Sequence, residues 1–93
     1  MIKTFADRRA ADLYAGKRVK RFEAFRRQAE RRLNILNEAA TIYELMGMPS
    51  NGFEALGGDR KGQFSIRINE QWRICFRFEN GDAYDVEIVD YHR

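Results

Sequence analysis

Phe22, Phe25, Ala29, Leu33, Leu36 and Ala40 recur at steps of three and four, the stripe of one long amphipathic helix. Arg27, Arg31 and Asn34 fall away from that stripe and Arg26 flanks it, which puts the basic charge on the solvent side. Ahead of it, Ile2 to Phe5 has the make-up of a short strand. Asp7 is a candidate N-cap for a short helix running to Tyr14, with Gly16 as its stop. The basic connector Lys17-Arg18-Val19-Lys20-Arg21 joins the two helices. Beyond the long helix, Thr41-Ile42-Tyr43-Glu44 has the form of a capping box opening one or two further turns, and Met48-Pro49-Ser50-Asn51-Gly52 is a loop.

From Phe53 the hydrophobic period changes from helical to two. Phe53 to Leu56 predicts a strand, followed by the turn-rich Gly57-Gly58-Asp59-Arg60-Lys61-Gly62. Phe64, Ile66 and Ile68, then Trp72, Ile74, Phe76 and Phe78, then Tyr84, Val86 and Ile88 each alternate with polar or small residues. That is an antiparallel meander with one face on the helices and one face polar. Strand, helices, then a run of strands means an α+β fold: a short N-terminal strand and two helices packed on one face of a mostly antiparallel sheet.

Register follows, because a slip of one residue would turn every apolar side chain to the wrong face. Phe64, Ile66 and Ile68 should oppose Phe76, Ile74 and Trp72, with a loop at Asn69-Glu70-Gln71. Asn80-Gly81 has the form of a two-residue type I′ turn, but that turn sets Phe76 opposite Asp85. The expectation is therefore a longer loop, Asn80-Gly81-Asp82, with Gly81 or Asp82 left-handed and Phe78, Phe76 and Ile74 opposite Tyr84, Val86 and Ile88.

Composition narrows the class. The chain has 93 residues, read as a single domain over 1–93, with 44% hydrophobic and 13% aromatic residues, too apolar for a disordered chain at net +3. One cysteine, Cys75, excludes a disulfide scaffold. No apolar run approaches the roughly 20 residues of a membrane span, and no signal-peptide core follows Met1, so the expected location is the cytoplasm. The charge is uneven: +7 up to Asn34 and −4 from Ile35 onward. Such an asymmetry fits a basic surface for a polyanion, or a solvated helix with ordinary salt bridges. In the first case Arg18, Lys20, Arg26, Arg27 and Arg31 would carry the affinity.

The same register arithmetic lays out the polar face. Arg77 falls between Gln63 and Asp85, Cys75 between Ser65 and Glu87, and Arg73 between Arg67 and Val89, with Tyr91 diagonal to it. Arg67 opposite Arg73 is the unusual feature, since like charges directly opposed destabilise a sheet. Either a carboxylate lies between them, for instance in a lattice with Glu87, or the place is built for an anion. Next to it the chain closes on Val89-Asp90-Tyr91-His92-Arg93. His92 suits proton transfer or a solvated end, Tyr91 stacking or packing, and Asp90 orientation or a turn. RNA cleavage needs a base for the 2′-hydroxyl, an acid for the leaving oxygen, and cations for the phosphorane. Histidine and arginine supply those roles without metal, and the sequence offers no convincing metal-ligand set, P-loop or nucleophile elbow.

The run Leu56-Gly57-Gly58-Asp59-Arg60-Lys61-Gly62-Gln63-Phe64-Ser65-Ile66-Arg67-Ile68-Asn69, then Gln71-Trp72-Arg73-Ile74-Cys75-Phe76, Asn80-Gly81-Asp82-Ala83-Tyr84 and Asp90-Tyr91-His92, resembles the HigB toxin family of the RelE/ParE superfamily. It is similar in particular to the branch of the growth-rate-affecting toxin GraT. The resemblance implies a RelE-like fold and the toxin of a type II toxin–antitoxin pair. It also implies a metal-independent, cofactor-free messenger RNA endonuclease that acts in the A site of the 70S ribosome and leaves a 2′,3′-cyclic phosphate. The implied partner is a HigA-type helix-turn-helix antitoxin. Matching positions give Arg73, Asp90, Tyr91 and His92 as catalytic residues, while Arg67, opposite Arg73 on the polar face, is expected as an RNA contact from that register. Glu54 and Gly57 depart from the pattern, since some family members carry histidine and lysine there. Two other classes compete with the nuclease: a non-enzymatic inhibitor of DNA gyrase of the ParE type, and a plain RNA-binding module that would leave Tyr91 and His92 idle.

Overall fold

The computed structural model describes residues 1–91. Three helices, α1 (Arg8–Tyr14), α2 (Arg26–Glu38) and α3 (Ile42–Met46), precede four strands, β1 (Glu54–Ala55), β2 (Phe64–Arg67), β3 (Trp72–Glu79) and β4 (Asp82–Asp90). The strands form one antiparallel sheet in the order β1-β2-β3-β4, which makes the α+β architecture expected from the sequence. Ile66, Ile74, Phe76, Ala83, Val86 and Ile88 on one face meet Leu13, Phe22, Ala29, Leu33 and Leu36 from the helices in a single core. No helix among the described residues is long and apolar enough to cross a membrane.

The cap signals hold. Asp7 accepts the backbone N–H of Arg9 to start α1, and Thr41 and Glu44 close a reciprocal capping box on α3. The long stripe, by contrast, does not make one helix. Lys20–Phe25 is a 3-10 helix, and Phe25 at φ −128° breaks the chain before α2 begins. A 3-10 turn eclipses residues three apart, and it stacks Phe22 and Phe25 on one side with ring centroids 5.7 Å apart. Both rings then pack on Trp72, at 5.7 and 5.0 Å. Aromatic packing outweighs helix continuity here. At the other end α2 stops at Glu38, so Ala39 is buried and Ala40 is exposed.

The β2–β3 register matches expectation throughout: Phe64 faces Phe76, Ser65 faces Cys75, Ile66 faces Ile74, and Arg67 faces Arg73. The Asn69 side chain closes the intervening loop by accepting the backbone N–H groups of Gln71 and Trp72, both at 2.8 Å. The β3–β4 connection corrects the sequence reading. Glu79 pairs directly with Asp82 across Asn80 and Gly81, both at positive φ (50° and 82°), as a two-residue type I′ turn requires. The surplus residue is absorbed further along, in a bulge where Phe76 faces both Asp85 and Val86, with Asp85 at φ 54°. Ile74 still meets Ile88 as expected, but Phe78 meets Ala83 and Arg77 meets Tyr84. Tyr84 thus leaves the core face and lies under Arg77, whose guanidinium carbon is 5.4 Å from the ring centroid.

The bulge also explains the N-terminal segment. Ile2 and Phe5 bridge in parallel to Ala83 and Val86, but between them the N–H of Asp85 turns to the Thr4 hydroxyl (2.8 Å). The expected first strand is therefore two isolated bridges. Phe53–Leu56 likewise shrinks to Glu54–Ala55 at the sheet edge.

Candidate active site and basic surface

The sheet face opposite the core is not simply a wet polar surface. Glu54, Ser65, Cys75 and Glu87 form one row across β1 to β4, and Arg67, Arg73 and Val89 form the next. Ser65 and Cys75 have no exposed surface, and Arg73 is 8% exposed. Arg60, at the end of the Gly58–Arg60 3-10 turn, reaches over the first row to Gln63 Oε1 (2.9 Å) and Glu87 Oε1 (3.1 Å). Burial opposes the Arg60 charge, but the hydrogen bond to Glu87 and the surrounding negative groups outweigh it and raise its pKa. Burial pushes the Cys75 thiol above its ordinary value, with Arg60 partly opposing and Glu87 adding to the rise. Glu87 is thus committed to Arg60, and the alternative of a Glu87 lattice around Arg67 and Arg73 does not form.

The second row holds the predicted site. Arg73 Nε donates to Ser65 Oγ (2.8 Å), and its Nη2 donates to the carbonyl of Gly52. Its guanidinium carbon lies 5.7 Å from the centroid of the Tyr91 ring, the diagonal contact expected from the register. Tyr91 is anchored through its backbone N–H to Gln71 O (2.6 Å). Among the described residues no carboxylate forms an ion pair with Arg67 or Arg73. Among the described residues the buried guanidinium is held by a hydroxyl, a carbonyl and an aromatic face, all neutral, so none of these contacts cancels its charge. Asp90 stands apart: it pairs with Trp72, on the other side of the strand from Arg73, and its Oδ2 accepts from Gln71 Nε2 (3.1 Å). His92, the fourth candidate, lies outside the described residues. Glu54 shares the face with Ser65 and is half-buried beside Cys75, one row from Arg73.

The basic candidates divide into two kinds. Arg27, Arg31, Lys20 and Arg67 are exposed. Arg18 faces Glu23 (3.3 Å), while Arg26 is half-buried, donating to Gly16 O (3.1 Å) and Glu30 (3.3 Å). Arg26 therefore ties the end of α1 to the start of α2 instead of presenting its charge outward.

Sequence reasoning passed over Arg32. It lies beside the apolar stripe of α2, and its Nη1 donates to Asn51 Oδ1 (2.8 Å) and Ser50 Oγ (3.3 Å). Burial first, and then the charges of Arg31 and Arg67, lower its pKa. Asn51 is completely buried, its amide donating to Leu45 O (3.1 Å). Gly52 follows at φ 50°, which turns its carbonyl to Arg73. The only sequence signal for this joint was the Pro49-Ser50-Asn51-Gly52 turn chemistry, which predicts a loop without saying what the loop holds.

A family model described as a RelE-like toxin of the type II toxin–antitoxin system HigB matches residues 3–92. Over 61 residues the chain is 43% identical to a protein of Proteus vulgaris named Endoribonuclease HigB, covering 66% of this chain and 65% of that protein. Over 63 residues it is 40% identical to Toxin HigB-1 of Vibrio cholerae serotype O1, covering 68% of this chain and again 65% of the relative. The match to each of these two curated relatives therefore spans slightly less than two thirds of the relative's length. With the family model covering nearly the whole chain, and the antiparallel sheet and helical layer in place beneath the motif, the chain belongs to the HigB-like family of type II toxin–antitoxin toxins.

Proposed function

We propose that the chain is a messenger RNA endoribonuclease acting on the ribosome. The observation that carries this reading is Arg73: a nearly buried guanidinium without a carboxylate partner among the described residues, aimed by Ser65 and Gly52 and covered by the Tyr91 ring. Such a cation, fixed before substrate arrives, stabilises the charge that develops on a phosphorane without reorganising. The family relation supports RNA as the substrate, since one relative carries the name endoribonuclease.

In the proposed reaction a 2′-hydroxyl attacks the adjacent phosphorus and the 5′-oxygen leaves, giving a 2′,3′-cyclic phosphate without metal. Arg73 holds the phosphorane oxygens. Tyr91 keeps Arg73 in place and offers its ring to a base. His92, following directly on Tyr91, carries the proton from the 2′-hydroxyl to the leaving 5′-oxygen, and Asp90, whose Oδ2 also accepts from Gln71 Nε2, assists it. Arg67, Arg27, Arg31 and Lys20 grip ribosomal or messenger RNA, with Arg18 as a weaker contributor. The expected partner is a HigA-type antitoxin, and the motif order supports a place near the growth-rate-affecting branch.

The test is a map of 5′ ends in cellular messages after induction of wild type and of His92→Gln. Cleavage within translated regions, lost in His92→Gln, is the expected result. Intact messages accompanied by DNA breaks would replace the nuclease with a gyrase inhibitor.

A further inference from the structure

Three consecutive loop residues gather three arginines from two layers of the molecule. Ser50 and Asn51 accept Arg32 from α2, on the core side of the sheet. Gly52 accepts Arg73 from β3, on the opposite face. Gly52 also lies against Arg67 of β2: a Cβ at this glycine would sit 3.4 Å from Arg67 Cβ, 3.8 Å from its Cδ and 3.8 Å from Arg73 Nη1. The loop is not a loose tether, because Asn51 is buried and both ends of its amide are satisfied.

Grouping sets the place apart, since Arg8, Arg21, Arg27 and Arg31 also have no ion pair among the described residues but are not gathered on one loop. Arg9, Arg18, Arg26, Arg60 and Arg77 each have a carboxylate within ion-pair distance. Arg32, Arg67 and Arg73 have none among the described residues. Arg32 uses only Nη1 on the loop, which leaves its Nε and Nη2 without an acceptor among the described residues. Arg67 is exposed and donates to no described residue. Cations brought together with unused donors and no counter-charge are the arrangement that binds a phosphate, the guanidinium fork matching two oxygens at once.

We propose that Arg32 and Arg67, spaced by the Ser50–Gly52 loop, bind a phosphodiester of the RNA strand next to the one held by Arg73. The site deepens the nuclease reading and rests on it for the identity of the polyanion. Arg67 and Arg73 are register partners, so a strand whose scissile phosphate lies on Arg73 passes its neighbouring phosphate over Arg67 and toward Arg32. The bridge aligns the strand at two points rather than one, which fixes the direction in which the 2′-hydroxyl faces phosphorus.

The experiment is a binding titration of the whole protein with a 2′-O-methyl trinucleotide, which cannot be cleaved, at several salt concentrations. Inorganic phosphate serves as a second probe. Arg67→Gln touches no hydrogen bond of the fold and is the primary variant; Arg32→Gln is the second, accompanied by a thermal melt. Arg8→Gln, which removes the same charge from α1, is the control. Arg67→Gln and Arg32→Gln should each weaken the trinucleotide about tenfold and flatten the slope of log K against log salt by about 0.7. The double variant should lose little more than either single, because both arginines hold the same phosphate. Wild-type affinity in Arg67→Gln, or an equal loss in Arg8→Gln, overturns the proposal. So does saturation by inorganic phosphate that the trinucleotide cannot displace, which would make this a free-phosphate site. The two readings fail separately. Trinucleotide binding that depends on Arg67, in a protein that cuts no message, sinks the nuclease alone. Message cleavage with unaltered binding in Arg67→Gln sinks the bridge alone.

Discussion

The two ends of the polar sheet face treat arginine in opposite ways. Toward the β3–β4 turn every guanidinium has its carboxylate: Arg77 meets Asp85 and Glu79, each at 2.8 Å, and Arg60 meets Glu87 at 3.1 Å. Toward the β2–β3 loop, Arg67, Arg73 and Arg32 are held by hydroxyl, amide and carbonyl oxygens or left to solvent. The first arrangement is complete without a ligand. The second is a fold that tolerates like charges in register, a cost that a structural role alone gives no reason to keep. Between the two ends lies the neutral, buried pair Ser65 and Cys75. The contrast separates the two ends more sharply than net charge does, because both are rich in arginine and, among the described residues, only one pairs its arginines with carboxylates.

The largest effect that tests this contrast is expected at Arg73. Arg73→Ala removes the cation proposed to hold the phosphorane and should lower single-turnover cleavage of a translated message by about 10²–10³. It also leaves the buried Ser65 hydroxyl and the Gly52 carbonyl without their donor, at a cost of roughly 1–3 kcal/mol in a urea melt. Running both measurements separates the two effects. A variant that remains folded and cuts within a few-fold of wild type would falsify the assignment of Arg73.

Next come two glycines, one at each end. Gly52 and Gly81 both have positive φ, 50° and 82°, so alanine at either should destabilise by about 1–2 kcal/mol. A Cβ on Gly81 would come 3.0 Å from the Ala40 carbonyl, far from any phosphate contact, whereas one on Gly52 would press on Arg67. Both variants should therefore melt earlier, and only Gly52→Ala should weaken RNA. Equal RNA affinity in the two would erase the distinction between the ends.

How much of this was legible in the sequence depends on the range of the interaction involved. Alternation set the β2–β3 register down to Arg67 opposite Arg73, because one wrong step would have exposed the whole apolar set of Ile66, Ile74 and Phe76. The β3–β4 register was misread because periodicity treats a strand as regular. Asn80-Gly81 carried the correct local signal, and the bulge at Asp85 that reconciles it with Ile74 opposite Ile88 leaves no mark in an alternation. The break at Phe25 escaped for a similar reason, since the decisive contact is with Trp72, 47 positions away. Among site residues, Arg73 and Tyr91 follow from register and motif. Arg32 and Asn51 do not, because their partnership joins a helix to a loop, and no period links the two.

A smaller effect probes the neutral spacer. Burial raises the Cys75 pKa, so the folded chain keeps this proton at pH values where the unfolded chain has lost it. Stability should then decline as pH rises from the ordinary thiol value toward the raised one, and be unaffected below that window. Urea melts between neutral and alkaline pH should show a shallower decline in Cys75→Ala than in wild type. Identical slopes would mean that the thiol is not buried as described. The folded thiol should also resist alkylation at neutral pH, since neither its thiolate nor its surface is available.

The smallest effect has the most informative sign. Glu87→Gln removes the negative charge facing Arg60 and makes the acid-paired end of the face resemble the other. Both side chains are about one-third exposed, so the lost ion pair should change stability by less than about 1 kcal/mol. RNA affinity should move the other way from Arg67→Gln, rising roughly two- to threefold at low salt, as Arg60 stands one row from the proposed path of the strand. The gain should fade as salt is raised, because an unpaired arginine offers charge without a bound geometry. A gain that persists at high salt would mean that Arg60 has acquired a fitted phosphate of its own. The carboxylate of Glu87 would then be what keeps RNA confined to the Arg67–Arg73 end, and its loss should broaden where the strand is cut.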